Sequence, residues 1–154
     1  MRYSFDSSSF INGRRDLLPP TILPTLWDRI SEQVAAGDIR AAEPVRDEVR
    51  ARDDDVAAWI RAQHNLFEPL TADVQQSVKL VLQQHPRLIN IGNGHSGADP
   101  FVIALAHARG GVVVSEETAS NKVEKPRIPD VCRAMGVPCT NLIGFVHQQG
   151  WTFH

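Results

Sequence analysis

Residues 98–117 constrain the fold more than any other part of the chain. They contain a helix that is apolar on nearly every side, then Gly110, then the strand-forming run Val112–Val114. A helix without a polar face must be buried, and a continuous β-branched run is typical of a strand covered on both faces in a parallel sheet. Asp99 stands at the start of the helix and Glu117 follows the strand. Because ligands bind at the carboxyl ends of strands in open α/β sheets, we expect a functional site here.

The rest of the chain predicts alternating strands and helices. Strands are predicted at residues 2–5, 39–42, 88–91, 112–114 and 137–140. Helices are predicted at residues 20–36 and 43–52, from 53–55 onward, between 71 and 86, at 99–109, from 129 or 130 to 136, and at 141–149. This alternation favours an α/β protein, and we expect a three-layer α/β/α sandwich with a mainly parallel central sheet.

The bulk properties narrow the class of protein. With 154 residues the chain is predicted to form a single domain over residues 1–154, and no apolar run approaches the ~18 residues of a membrane span. The amino terminus lacks the apolar core of a signal peptide, and two cysteines fit a reducing compartment, so we expect a cytoplasmic protein. A net charge of −2 argues against bulk binding of polyanions and leaves metal ions and local patches to contact a nucleic acid.

Four acids form a candidate metal site. Asp6 ends the first strand, Glu48 borders the apolar stripe of its helix, Asp99 begins the buried helix, and Glu117 follows the strand at 112–114. Clustered carboxylates repel one another unless protons or cations neutralise them. Oxygen-only ligands select hard ions, so the sequence predicts Mg²⁺ or Mn²⁺ and, with it, attack of water on a phosphodiester.

Several segments together resemble the PIN-domain superfamily. The set looks like an uncharacterised bacterial PIN-like family, a domain of unknown function related to the VapC toxins of toxin–antitoxin pairs. The resemblance runs from residue 2 to about residue 153 and rests on residues 6–11, 45–49, 98–106, 112–117, 128–132 and 150–151.

The resemblance implies a metal-dependent endoribonuclease that acts on RNA. Asp6, Glu48 and Asp99 then match the family's acids, and Ser8 matches a small polar residue that helps hold the geometry of the metal site. The resemblance also implies an antitoxin-like protein partner and a homodimer, and the lack of a long apolar run predicts no membrane association.

The fourth acid is less well defined by the sequence. Members of the superfamily usually have an aspartate two residues beyond a Ser or Thr after the strand, and this position falls on Glu117. Glu116 lies beside it, and Asp130 is an alternative that would complete the site. Asp130 is equally typical of a helix cap.

Two other functions are compatible with these residues. The chain could be a catalytically degraded PIN-fold protein that serves as an RNA-binding or interaction subunit. It could also be a phosphatase with Asp6 as nucleophile, although such enzymes usually have a second aspartate where this chain has Ser8. The basic segment 122–127 is either an RNA contact or a solvated loop, and His95 in the loop at 92–97 is typical of a solvated residue.

Overall fold

The computed structural model describes residues 1–52, 54–89 and 97–154. These residues form one sheet of five parallel strands in the order β3-β2-β1-β4-β5. The strands are β1 (Tyr3–Phe5), β2 (Ile39–Ala42), β3 (Phe67–Glu68), β4 (Val112–Val114) and β5 (Cys139–Thr140). The predicted α/β class is therefore confirmed.

Eight α-helices accompany the sheet within the same ranges. They are α1 (Ser7–Asn12), α2 (Pro24–Ala35), α3 (Glu43–Arg50), α4 (Asp55–Arg61), α5 (Ala72–Gln84), α6 (Asp99–Arg109), α7 (Ile128–Met135) and α8 (Leu142–Gln149). None of the described helices is long and apolar enough to span a membrane.

The two faces of β1 show how the layers are arranged. Ser4 points to one face, where its hydroxyl donates a 2.8 Å hydrogen bond to the carbonyl of Val102 in α6. Tyr3 and Phe5 point to the other face and pack edge-on against Phe145 of α8, with ring centroids 4.8 and 5.2 Å apart. Helices thus cover both faces of the sheet, which confirms the predicted three-layer α/β/α sandwich.

The stretch that opened the sequence analysis folds as its pattern predicts. Residues 102–106 of α6 are all buried, and Gly110 ends the helix with φ of 68°, in the left-handed region that favours glycine. Val113 and Val114 of β4 have no exposed surface. The helix therefore lies against the middle of the sheet, where it contacts β1, β2 and β4.

One predicted strand is wrong within the described residues. The expected strand at 88–91 begins instead as a 3₁₀ turn, Pro86–Leu88, because proline favours the first position of a helical turn and Leu88 buries its side chain there. Residues 90 and 91 lie outside the described residues. The sheet edge is completed by β3, a two-residue strand too short to give an alternating pattern.

The first helix, α1, passes without a loop into a π-helical turn, Gly13–Leu17. A Cβ at Gly13 would lie 2.5 Å from Cδ2 of Leu142. Glycine therefore permits this turn to lie close to α8.

The strand order creates a switch point beside β1. The chain moves from β1 to β2 and β3 on one side, and then crosses to β4 and β5 on the other side. At such a reversal the connections leave the sheet in opposite directions, which opens a crevice at the carboxyl ends of the two central strands. Here those strands are β1 and β4.

The contacts of Phe145 predict a stability test. We expect Phe145→Ala to lower the free energy of unfolding by about 3–5 kcal/mol, because the fully buried ring fills the space between Tyr3, Phe5 and Trp151. Urea denaturation measures this change. Ile143→Ala, at a half-exposed position of the same helix, is the control and should cost less than about 1 kcal/mol. Equal losses in the two variants would contradict this packing.

Candidate metal centre

Three of the predicted acids meet at the switch point. Asp6 directly follows β1, Glu117 lies three residues beyond β4, and Asp99 is the first residue of α6. One carboxylate oxygen from each lies within 4.8 Å of the other two. We call Asp6, Asp99 and Glu117 the acidic cluster.

Two hydroxyl groups fix the carboxylate of Asp6. The hydroxyls of Ser8 and Ser115 donate hydrogen bonds of 2.7 and 3.0 Å to its Oδ2 atom. Its Oδ1 atom is buried from solvent and receives no hydrogen bond from any described residue. Asp6 is only 2% exposed, so one of its carboxylate oxygens is buried beside two other acids without a hydrogen-bond donor from the described part of the chain.

Glu48 lies beside the acidic cluster. Its helix α3 follows β2 without a loop, and Val45 and Val49 are buried, which turns Glu48 toward α1. There the hydroxyl of Ser7 donates a 2.7 Å hydrogen bond to its Oε2 atom. Among the described residues, Glu48 is not one of the three whose oxygens lie within 4.8 Å of one another, but its charge acts on two of them.

The structure separates the three candidates for the fourth acid. Glu117 belongs to the acidic cluster. The neighbouring Glu116 points elsewhere, since its Oε1 atom accepts a 2.7 Å hydrogen bond from the backbone N–H of Leu142 at the start of α8. Glu116 therefore stabilises a helix end.

Asp130 organises a loop outside the acidic cluster. Its carboxylate accepts hydrogen bonds of 2.8 to 3.0 Å from the backbone N–H groups of Ser120, Asn121 and Arg127, and a further one from the hydroxyl of Ser120. Burial acts to raise its pKa, but these hydrogen bonds outweigh it and lower the pKa to about 2. Of the two roles open to Asp130 from the sequence, the structure thus places it in the helix cap.

The carboxyl groups of the acidic cluster resist ionisation. Burial, followed by the charges of Glu117, Asp6 and Glu48, raises the pKa of Asp99 to about 8. Burial and the charge of Asp6 raise the pKa of Glu117 to about 7, although Arg127 partly opposes this shift. Burial also raises the pKa of Asp6, against the hydrogen bonds from Ser8 and Ser115. Repulsion at such separations is on the order of 3 kcal/mol per pair at an effective dielectric constant near 20.

These features fit a hard divalent cation. The donors are carboxylate oxygens, which Mg²⁺ and Mn²⁺ prefer. The Oδ1 atom of Asp6 is held in place and has no hydrogen-bond donor among the described residues. A bound cation would neutralise the repulsion that raises the pKa of Asp99 and Glu117. Asp6, Asp99 and Glu117 are therefore the residues suited to hold such an ion, with Glu48 beside them.

Sequence reasoning missed the role of Ser115. Its hydroxyl donates to Asp6 and accepts the backbone N–H of Glu117 at 3.1 Å, so it joins the ends of β1 and β4. A serine two residues before an acid is typical of a local turn in which the hydroxyl accepts this N–H group. That spacing was a usable signal.

The sequence also led to predictions for the loop at 92–97 and for the helix start at 53–55. His95 and most of its loop, residues 90–96, lie outside the described residues, as does Asp53. Asp54 caps α4 through a 3.1 Å hydrogen bond from the N–H of Ala57, in keeping with the predicted helix start.

Comparison with known proteins identifies the family of this chain. Residues 3–153 match the family described as "Domain of unknown function (DUF4411)". The chain belongs to this family. A comparison with curated proteins finds no match.

Solved structures show the fold type. A chain in the crystal structure of VapBC2 from Rickettsia felis, bound to a DNA fragment from their promoter, aligns with a TM-score of 0.57 at 12% identity, covering 92% of this chain and 98% of that one. The structure of VapBC-1 from nontypeable Haemophilus influenzae aligns with a TM-score of 0.49 at 10% identity and the same coverage. The predicted resemblance is confirmed at the level of fold, which is PIN-like.

The raised pKa values predict how stability depends on pH. Between about pH 4.5 and 8, the folded protein retains protons on Asp99 and Glu117 that the unfolded chain has released. Stability must therefore fall as the pH rises through this range. Without divalent cations we expect Tm to drop by more than about 5 °C from pH 5 to pH 8, which corresponds to a loss of a few kcal/mol. Thermal melts measure the drop, and Asp99→Asn should reduce it. A Tm that rises with pH would contradict the assignment.

Proposed function

We propose that this DUF4411 protein is a Mg²⁺- or Mn²⁺-dependent endoribonuclease that hydrolyses phosphodiester bonds in RNA. The observation that carries the proposal is the approach of three carboxylate oxygens, from Asp6, Asp99 and Glu117, to within 4.8 Å at the switch point of a PIN-like sheet. Acids brought so close to one another are costly unless a cation joins them.

In this proposal the four acids come from different elements of the fold and bind the same cations. Asp6, Asp99, Glu117 and Glu48 bind the cations, while Ser8 and Ser115 hold Asp6 in one orientation. A bound divalent ion supplies the activation of water for in-line attack on phosphorus and neutralises charge on the phosphoryl oxygens. No nucleophile from the protein is required in this mechanism. The phosphatase alternative with Asp6 as nucleophile is disfavoured because Ser8 stands where such enzymes usually have a second aspartate.

The degraded-site alternative finds less support than the enzyme. It rested on the glutamate that stands where the superfamily usually has an aspartate. The longer side chain of Glu117 nonetheless reaches Asp6 and Asp99, and its backbone is held by Ser115. The substitution therefore keeps a third carboxylate in the cluster.

We further propose a protein partner, a dimeric state, a single-domain organisation and a cytoplasmic location for the enzyme. A solved structure of similar fold is that of VapBC2, and the resemblance to VapC toxins implies that an antitoxin-like protein restrains this chain, which acts as a homodimer. We propose that residues 1–154 form a single PIN-like domain, since the family match spans residues 3–153. The free thiols of Cys132 and Cys139 suit the cytoplasm, where the RNA substrate is found.

Substitution of Asp99 tests the proposed activity. We expect the purified protein to cleave single-stranded RNA in Mn²⁺, and Asp99→Asn to lower the rate at least about 100-fold, because the variant loses a charged ligand at nearly constant size. The assay follows a labelled RNA on a denaturing gel. Asp47→Asn is the matched control, since Asp47 is exposed on α3 beside Glu48.

Two outcomes of this assay would contradict the proposal. Cleavage by Asp99→Asn at the parental rate would show that the activity arises elsewhere. Absence of cleavage by the parent protein, together with no rise of Tm in Mn²⁺, would favour the RNA-binding or interaction subunit, because a ligand of the folded state must raise Tm.

A further inference from the structure

A cavity that is lined by none of the three acids of the acidic cluster lies beside α7. It is a cleft of about 570 Å³ between the end of α5 with the following turn and α7 with the preceding segment 118–127. This volume is within the range of about 300–1,000 Å³ that is typical of ligand sites. Pro86, Val123 and Pro126 contribute apolar walls, and Val123 is 83% exposed.

The charges that line this cleft favour an anion. Arg87, Lys122 and Arg133 contribute three cations, and we call the cavity the basic cleft. Arg87 and Lys122 form no ion pair with any residue that the structure describes. Asp130 is the one carboxylate among the described lining residues. It accepts hydrogen bonds from backbone N–H groups of the preceding loop and lies 3.6 Å from Arg133, which also donates to Asn121.

The basic cleft shares Arg133 with a second cavity that reaches Glu117. A cavity of about 410 Å³ is lined by Glu117 and Ser115, and Arg133 lines both this cavity and the basic cleft. Arg133 therefore borders both the cavity beside Glu117 and the basic cleft. Arg127 extends the cations toward the acids, since its charge acts on Glu117.

We propose that the basic cleft binds a nucleotide that flanks the cleaved bond, so that the substrate is a single-stranded RNA running from the acidic cluster past Arg133. The inference rests on the proposed ribonuclease function. The base packs between Pro86, Val123 and Pro126, while Arg87, Lys122 and Arg133 bind phosphates. A base can enter such a cleft only when it is unpaired and unstacked, which excludes duplex RNA.

An acidic protein segment is the competing occupant of this surface. Its carboxylates would meet the same cations and its apolar side chains the same walls. The position of Arg133 between the cleft and the cavity beside Glu117 favours RNA, because successive phosphates of one strand must lie on both sides of the reacting phosphodiester.

The test measures binding separately from cleavage. In an Asp99→Asn background with Mg²⁺, a short fluorescent single-stranded RNA is titrated at several salt concentrations and followed by anisotropy. The variant Arg87→Gln/Lys122→Gln/Arg133→Gln should bind at least about 10-fold more weakly, and its salt slope should fall by about 2, since each lost phosphate contact on a single strand removes about 0.7. The charge-matched control Arg50→Gln/Arg61→Gln/Lys79→Gln should keep the parental slope.

A second variant guards against misfolding. Val123→Glu adds a negative charge at an exposed position of the cleft, and should weaken RNA binding without changing Tm. Three results would overturn the inference. The first is an unchanged salt slope in the triple variant, and the second is duplex RNA that binds as tightly as single-stranded RNA. The third is loss of poly-glutamate peptide binding in the cleft variants without any loss of RNA binding.

The same variants distinguish this inference from the proposed function. Cleavage of RNA by the parent protein, unaffected by the cleft variants, would overturn the inference alone. Cleft-dependent binding without any Mn²⁺-dependent cleavage would overturn the ribonuclease proposal alone. If both hold, the cleft variants should slow RNA cleavage and leave hydrolysis of a small phosphodiester, bis(p-nitrophenyl) phosphate, unchanged.

Discussion

The fold forces three carboxylates together against their mutual repulsion. Parallel pairing of β1 with β4 brings the residues after both strands to one edge of the sheet, and burial of α6 against the same strands brings Asp99 there. Three carboxylates then lie within 4.8 Å of one another. The core enforces this approach, because α6 cannot move away without exposing its buried residues 102–106. The energy that holds the acids together is therefore hydrophobic, and a bound cation would relieve the resulting repulsion.

Much of the fold could be predicted because local and global preferences agree. The apolar helix at 99–109, its glycine end and the valine strand after it each have one stable placement, and the structure adopts it. The strand at 88–91 could not be excluded from its apolar residues, since a short apolar run fits a strand or a buried turn equally well. The edge strand Phe67–Glu68 left too little pattern to detect, because two residues show no periodicity.

Only part of the candidate site could likewise be predicted from the sequence. The positions of Asp6, Asp99 and Glu117 follow from strand ends and a helix start, which the sequence marks. The difference between Glu117, Glu116 and Asp130 depends on which backbone N–H groups each carboxylate meets, and only three-dimensional structure supplies those partners. The basic cleft likewise joins Arg87 to Arg133 across a long sequence separation. Sequence could indicate a basic segment at 122–127, but not the wall opposite it.

The most direct test of a cation at the acidic cluster is crystallographic. Crystals of the protein soaked in Mn²⁺ should show an anomalous difference peak between the carboxylates of Asp6, Asp99 and Glu117, within the distance of a metal–oxygen bond from each. A peak bound only by surface acids, or none beside Asp6 in well-soaked crystals, would contradict the account.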